Sequence, residues 1–357
     1  MDKLSINEIP IRTANNFGIN SIEIENINIP ENFGYFSNID INIESIKDKV
    51  NFSNQNYRKL TYGLGEVLET QNKEKCNCPL KVDVSSILNK EIKIDFLFNQ
   101  SNRNLAENIE IIANEKTKST IVLTYQSDDE INYYHNGVIR VLAKEKTEVN
   151  VIILNFMGSR ANNFLSIENE LQDNSKVTYT IIDFGGKVSC TNFFSNVLGE
   201  ESITEINTIY LGKDKKLFDL NYIAELSGKK SASKMEVQGA LMDSSVKHFK
   251  GTINFKKGCK KAFGTENESC MLLSEKAKSI SLPILLCSEE EVEGNHSTSS
   301  GKVGDKELFY IRSRGFDLME AKKLLVRAKF NSIIENIKND VLKEMIENEI
   351  NKTFAIN

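Results

Sequence analysis

The 357-residue sequence contains no tryptophan, only four prolines and only three histidines. No segment reaches the roughly 18 consecutive apolar residues that read as a membrane-spanning helix. The N-terminal stretch "MDKLSINEIPIRTANNFGIN" lacks the basic start and the apolar run of a secretory signal. These absences predict a cytoplasmic protein with no membrane partner.

The chain also has no excess of positive charge. The formal net charge is -5 at pH 7, and short basic runs such as Lys256-Lys257 are typical of solvated turns. A protein of this charge has no general electrostatic attraction for phosphate backbones or anionic lipid. Binding to nucleic acid is therefore not expected.

The cysteines form no pattern typical of a disulfide framework or a zinc knuckle. Six are present, at positions 76, 78, 190, 259, 270 and 287, and no two are spaced as CxxC. A reducing cytoplasm disfavours disulfides, and the pair Cys76 and Cys78 supplies only half the ligands of a structural zinc site. We expect free thiols.

The chain is long for one compact core, so either two domains or an elongated repeat is expected. Its middle alternates runs rich in β-branched residues with polar turns, a pattern that predicts strands. The clearest runs are "STIVLTY" (119–125), "VNVIILNF" (149–156) and "KVTYTIIDF" (176–184).

Similar polar steps recur before these strands. They are "EKT" at 115, "EKT" at 145, "DNS" at 173, "ESI" at 201, "KKS" at 229, "KGC" at 257 and "EKA" at 275, at intervals of 30, 28, 28, 28, 28 and 18 residues. A near-constant period without intervening helical patterns favours stacked strands in a β-solenoid. A β-sandwich with evenly spaced hairpins is the alternative.

The two ends of the chain differ from the middle. Residues 1–75 predict a small region of mixed helix and loop, 76–314 the β-helix core, and 315–357 a C-terminal helical domain. Asp317 followed by Glu320 has the spacing of a capping box, and the pair Asn339-Asp340 divides the tail into two predicted helices.

The tail carries an apolar stripe at helical spacing, running from Ala321 to Ile346. Each large apolar side chain withdrawn from water stabilises by about 1.5 to 3 kcal/mol, so the stripe must pack against something. Both the solenoid and a partner protein satisfy this requirement.

Three ordered motifs in the C-terminal third resemble the SufB/SufD family of iron-sulfur cluster assembly scaffolds. They are "VQGALMDSSVKHFKGTINF" (237–255), "CMLLSEKAKSISLPILLC" (270–287) and "NHSTSSGKVGDKELFYIRSRGFDLMEAKKLLVRAKF" (295–330). The resemblance implies a mainly β fold, with a right-handed parallel β-helix core followed by a C-terminal α-helical domain. It also implies a non-enzymatic subunit of the SUF system.

The resemblance further implies partners and a transient cargo. Two such subunits pair through their β-helices, each C-terminal domain binds the ABC-type ATPase SufC, and the nascent iron-sulfur cluster is held near the paired surface. The residues of the tail that we expect to contact SufC are Phe316, Ala321, Leu324, Leu325, Ala328 and Phe330. Arg312, Arg314 and Gly315 in "IRSRG" are expected to order the link to the helices.

Cys287 and His296 are the candidate cluster-assembly residues. The spacing of Pro283, Cys287 and His296 is similar to that of the SufB branch, and in the SufD branch the histidine alone is functional. Thiolate and imidazole are both ligands of iron-sulfur clusters, although a complete site requires a partner. The alternative is that both residues are purely structural, Cys287 as a buried strand residue and His296 as a turn residue.

Ser297 stands where the SufB branch usually has a carboxylate. This difference and the length of the chain favour a SufD-like subunit pairing with a SufB-type subunit. A SufB-like homodimer that holds the cluster itself is one alternative. A β-helix polysaccharide lyase or hydrolase is another, and it would need paired carboxylates along a groove.

Overall fold

A computed structural model describes residues 3–13, 18–42, 49–52, 58–88 and 90–355. The predicted N-terminal region 1–75 and the predicted tail 315–357 each include positions outside these ranges. The N-terminal elements are β1 (Lys3–Ile6), β2 (Ile22–Glu25), β3 (Ile39–Asn42), β4 (Lys49–Phe52) and α1 (Glu66–Lys75).

Seventeen strands follow α1. They are β5 (Cys78–Val84), β6 (Ile92–Leu97), β7 (Asn104–Leu105), β8 (Glu107–Ala113), β9 (Lys118–Gln126), β10 (Tyr134–Ala143), β11 (Glu148–Phe156), β12 (Asn162–Leu171), β13 (Lys176–Asp183), β14 (Val188–Val197), β15 (Ile203–Gly212), β16 (Leu217–Leu226), β17 (Ala232–Leu241), β18 (Val246–Phe255), β19 (Phe263–Leu272), β20 (Lys278–Cys287) and β21 (Glu293–Lys302). The last elements are the helices α2 (Asp305–Arg312), α3 (Leu318–Ile334) and α4 (Asp340–Phe354).

The strands form a parallel β-solenoid built from two facing sheets. Sheet I has the order β20-β18-β16-β14-β12-β10-β8-β5-β4, and sheet II has the order β21-β19-β17-β15-β13-β11-β9-β6-β3. From β8 to β21, successive strands alternate between the sheets, and each pairs in parallel with the strand one turn away. The predicted mainly β solenoid is confirmed, because a sandwich of hairpins would require antiparallel pairs.

The space between the two sheets is an apolar lumen. Side chains alternate inward and outward along each strand, and the inward positions stack from turn to turn. Tyr179 and Phe193 illustrate the packing, with ring centroids 5.2 Å apart in an edge-to-face arrangement. One continuous core runs from Phe36 to Ala277.

The predicted turn repeat is confirmed along one edge of the solenoid. Its non-glycine residues with a left-handed backbone are Lys116, Lys146, Asn174, Glu201, Lys230 and Lys261. A small buried residue follows each of them, and the hydroxyl of Thr117, for example, donates to the Asn114 carbonyl at 2.6 Å. The sequence therefore places a small residue, Thr or Ser in five of these bends and Ala262 in the sixth, where the chain bends inward.

The last interval between the polar steps, 18 residues, does not belong to this turn repeat. The step "KGC" at 257 lies between β18 and β19, whereas "EKA" at 275 lies between β19 and β20, on the opposite edge of the solenoid. Assigning both to one series was wrong, because each turn of a two-sheet solenoid has two bends of similar composition.

Helices α3 and α4 pack on the outward face of sheet II. Phe330 is fully buried and its ring stacks on Phe184 at 6.0 Å, while Lys329 Nζ donates to Ser269 Oγ on β19 at 2.7 Å. The apolar stripe of the tail therefore covers the solenoid, the first of the two alternatives.

The predicted helix caps are present. Asp317 accepts from the Glu320 backbone at 2.8 Å, and the Glu320 side chain accepts from the Asp317 backbone at 2.9 Å. Asn339 caps α4 and separates it from α3. Helix α2, however, begins at Asp305, before the predicted boundary at 315. It buries none of its residues, and its apolar residues 308–311 form one continuous run instead of a pattern at helical spacing.

The N-terminal region packs on sheet I and adds one strand to each sheet at the first turns. Strands β3 and β4 add antiparallel to β6 and β5. Asn7 is fully buried, and its Nδ2 donates to Asp219 Oδ1 at 2.6 Å. Asp219 also accepts from Lys250 at 2.6 Å. Within the described ranges, no helix is both long and apolar enough to span a bilayer.

Candidate functional site

Cys287 and His296 both lie in the last turn of the solenoid. Cys287 ends β20, pairs in register with Phe255, and its Sγ donates to the Glu289 carbonyl at 3.0 Å. His296 lies in β21, whose ten residues are all exposed. Both residues are exposed, whereas Cys78, Cys190, Cys259, Cys270 and His135 are buried.

The side of the sheet on which the His296 side chain lies follows from its register. It pairs with Glu266 on β19, and paired residues of parallel strands point to the same side of the sheet. Glu266 is fully buried in the lumen, so His296 faces the open end of that lumen. Its neighbour Ser297 faces outward and donates to Asn267 Oδ1 at 2.8 Å.

Cys287 and His296 are offset along the strands. Pro283, four positions before Cys287, pairs with Gly251, and Gly251 lies across the lumen against the Glu266 carboxyl group. At about 3.3 Å per residue, Cys287 is displaced by about 13 Å along the strand direction from the point opposite Glu266. The two candidates therefore share a turn and a lumen end, while the imidazole lies nearer to Glu266.

Two glutamates beneath His296 have contrasting surroundings. Glu268 is fully bonded: Lys247 Nζ donates to its Oε1 at 2.8 Å, Ser281 Oγ to its Oε2 at 2.8 Å, and Tyr210 OH to its Oε1 at 3.1 Å. Lys247 and Glu268 side chains are both fully buried. A buried ion pair with these extra hydrogen bonds holds its geometry firmly.

Glu266 has no such partners. Neither carboxylate oxygen has a hydrogen-bond partner in the described part of the chain. Burial, reinforced by the nearby Glu268 carboxylate, raises the pKa of Glu266 to about 8. Glu266 is not among the residues predicted from the sequence. The available signal was the segment "TENESC" (265–270), in which the acidic residues fall on the inward positions of a strand.

The expected partner surface of the tail divides into buried and exposed parts. Ala321 and Phe330 are fully buried, Phe330 against the solenoid, so they are not accessible to a partner protein with α3 in place. Leu324 and Leu325 are half-buried, while Phe316 and Ala328 are exposed. The reason is that the stripe faces sheet II.

The exposed apolar surface of the tail lies instead around α2 and the start of α3. Phe309 is 75 % exposed and Tyr310 58 %, and Phe316 and Leu318 are each 42 % exposed. Phe309, Arg312, Phe316 and Leu318 border a shallow groove, and Tyr310 lies beside them in α2. We call Phe309, Tyr310, Arg312, Phe316 and Leu318 the α2 surface.

The "IRSRG" segment shapes this surface. The Arg314 guanidinium lies over the Tyr310 ring at 4.8 Å and donates to its hydroxyl at 2.6 Å. Gly315 has φ +98° and its N–H donates to the Arg312 carbonyl at 3.0 Å. The left-handed glycine ends the α2 segment and turns the chain toward α3.

The remaining sulfur and imidazole groups are in structural surroundings. His135 is fully buried between Glu107 and Asn163, at 2.6 Å from each. Burial raises the pKa of Cys76 to about 11 and that of Cys78 further still, which disfavours the thiolates that zinc requires. Over the ranges described, no group of three or more His, Cys, Asp or Glu residues is arranged to hold a metal ion.

Comparison with known proteins gives a consistent result. Residues 96–329 match the family model described as "SUF system FeS cluster assembly, SufBD core domain". The match covers most of the solenoid and reaches into α3, and it includes Cys287, His296 and the α2 surface.

Individual relatives are more distant. The chain is 25% identical over 158 residues to the iron-sulfur cluster assembly protein SufD of Bacillus subtilis, covering 44% of this chain and 36% of that protein. It is 28% identical over 148 residues to an iron-sulfur cluster assembly SufBD family protein of Pyrococcus horikoshii, covering 42% and 33%. It is 20% identical over 232 residues to SufD of Escherichia coli, covering 65% and 55%. The alignments thus span between a third and just over half of these relatives' own lengths.

Proposed function

Because the chain belongs to the SufBD core family of the SUF iron-sulfur cluster assembly system, we propose that it is a non-catalytic scaffold subunit. In this proposal it pairs with a SufB-type subunit, binds the SufC ATPase and holds a nascent iron-sulfur cluster for transfer. The observation that supports this role most strongly is the position of His296, on an exposed terminal strand at the open end of the lumen. A cytoplasmic location is part of the proposal, since all six cysteines are free thiols.

The terminal turn supports the pairing. Strands β20 and β21 are the last strands of their sheets, so each presents backbone N–H and C=O groups along its outer edge. An unpaired edge of this length is a template for another strand. A second solenoid that docks there would bring its own ligands toward His296 and supply the further ligands that a cluster site requires.

The partner at this edge is proposed to be a SufB-type subunit. Ser297 replaces the carboxylate usual in the SufB branch, and its side chain faces away from the lumen. Two of the relatives above carry the name SufD. Both facts favour a SufD-like role, in which the partner supplies the remaining ligands.

The α2 surface is the proposed SufC contact. Aromatic residues and arginine are enriched at protein interfaces, and this surface presents three exposed aromatic rings beside Arg312. It replaces the larger set expected from the sequence, because Ala321 and Phe330 are buried. Phe316 is retained from that set.

Co-purification of this chain with SufB-type and SufC-type proteins of the same genome tests the proposal. We expect a complex that contains all three, and we expect Phe309→Ala with Phe316→Ala to remove SufC while keeping the SufB-type subunit. Val341→Ala is the matched control, because Val341 is 60 % exposed on α4, away from the α2 surface. SufC retention equal to the wild type would refute the assigned contact, and a homodimer alone would refute the SufB-type pairing.

A further inference from the structure

Glu266 is buried one strand below His296 and lacks the partners that a buried carboxyl group normally has. Both oxygens are without a hydrogen-bond partner in the residues that the structure describes, and the residue has no exposed surface. An unsatisfied buried polar group is destabilising. Proteins keep such groups mainly where function requires them.

The neighbouring Glu268 shows that the fold is able to satisfy a carboxylate at this depth. It lies two positions further along β19, faces the same lumen, and accepts hydrogen bonds from Lys247, Ser281 and Tyr210. Glu266 lies nearer to His296 in register and has none of these donors. No hydrogen bond therefore fixes the side chain of Glu266, whereas three donors fix that of Glu268.

The geometry brings Glu266 close to His296. The two residues are direct register partners on adjacent parallel strands, which lie about 4.8 Å apart. Across the lumen stands Gly251, where an added Cβ would overlap the Glu266 carboxyl group. A glycine at this position leaves the space that the carboxyl group occupies.

We propose that Glu266 and His296 together bind ferrous iron at the open end of the lumen, as the first iron-accepting pair of this subunit. Carboxylate and imidazole are a ligand combination that Fe²⁺ accepts in proteins. The carboxylate that Ser297 lacks is supplied from the strand beneath. This inference rests on the proposed function, because it treats iron as the cargo of the scaffold.

The test measures anaerobic binding of Fe²⁺ alone to the full chain at fixed pH, by competition with a ferrous chelator. We expect one tight equivalent per chain, weakened about tenfold or more by Glu266→Gln and by His296→Ala. The matched control is Glu293→Gln, because Glu293 is an exposed carboxylate at the start of the strand that carries His296, and we expect it to leave the affinity unchanged.

Glu266→Asp is a second variant that tests the same residue if Glu266→Gln does not fold. It keeps the carboxylate but shortens the side chain by one methylene, so we expect an affinity between those of the wild type and the glutamine variant. Far-UV circular dichroism confirms the fold of each variant. Wild-type affinity in either folded Glu266 variant overturns the inference.

The outcomes also separate this inference from the proposed function. If His296→Ala lowers the iron and sulfide content of the co-purified complex while Glu266→Gln binds Fe²⁺ normally, only the role of Glu266 is wrong. If His296→Ala changes neither Fe²⁺ binding nor the cluster content of the complex, the proposed site itself is wrong.

Discussion

The buried ion pair between Lys247 and Glu268 gives a quantitative test of the lumen beneath the candidate site. Both side chains are fully buried and their charged atoms are 2.8 Å apart. Lys247→Met removes the positive charge while keeping much of the side-chain volume. It leaves the Glu268 carboxylate with only the neutral donors Ser281 and Tyr210. Removing one partner of a buried pair costs about 3 to 5 kcal/mol, because the remaining charge is uncompensated.

The double variant Lys247→Met with Glu268→Leu should recover most of this loss. Replacing a whole buried pair by apolar residues is often neutral or stabilising by about 1 to 4 kcal/mol. We therefore expect the free energy of unfolding of the double variant to lie within about 1 kcal/mol of the wild type or above it, and the coupling energy between the two sites to be large.

Urea unfolding followed by far-UV circular dichroism measures these free energies, and hydrogen exchange in β18–β20 shows where the stability is lost. Lys256→Met is the control, because Lys256 pairs with Glu225 at 2.9 Å but is 41 % exposed. Its expected cost is at most about 1 kcal/mol. A Lys247→Met cost no larger than that of Lys256→Met would refute the buried-pair reasoning, as would a double variant as unstable as the sum of the single changes.

Three further predictions concern other parts of the fold. Phe330→Ala should lower the free energy of unfolding by about 3 to 5 kcal/mol, because it leaves a cavity beside Phe184. The control Ala328→Ser, at an exposed position, should change it by no more than about 0.5 kcal/mol. Equal effects of the two substitutions in chemical denaturation would contradict the docking of α3. Burial raises the pKa of Asp183 to about 6, above its unfolded value of about 3.9. Between these two pH values the folded state holds a proton on Asp183 that the unfolded state has lost. About 3 kcal/mol of stability should therefore be lost as pH rises from about 4 to 6. Asp183→Asn should remove that slope, and parallel stability curves for the two proteins would contradict the assignment. Gly239→Ala should destabilise by about 1 to 3 kcal/mol, because its Cβ would overlap the Tyr210 ring; a melting temperature equal to that of the wild type would show that the lumen is looser there than the structure indicates.

The repeat and the tail could be predicted from the sequence because their signals are local. A left-handed residue followed by a small hydroxyl residue, as at Lys116 and Thr117, recurs once per turn of the solenoid. The capping box of Asp317 and Glu320 spans only one helical turn. Local patterns of this kind are visible in a single sequence.

What could not be predicted depends on contacts distant in sequence. Asn7 donates a hydrogen bond to Asp219, 212 positions away, and no sequence pattern near Asn7 indicates that partner. The burial of Ala321 and Phe330 follows from which face of α3 meets sheet II, and the helical spacing alone allows either a partner or the solenoid. Glu266 could be placed beneath His296 only after the register of β19 and β21 was known.

The iron and sulfide content of the complex purified anaerobically with SufB-type and SufC-type subunits tests the central claim most directly. The account predicts that His296→Ala leaves the subunit composition unchanged but lowers both iron and sulfide per complex, while Ser299→Ala, on the same strand and facing outward, leaves them unchanged. Iron and sulfide at wild-type levels in the assembled His296→Ala complex would contradict it.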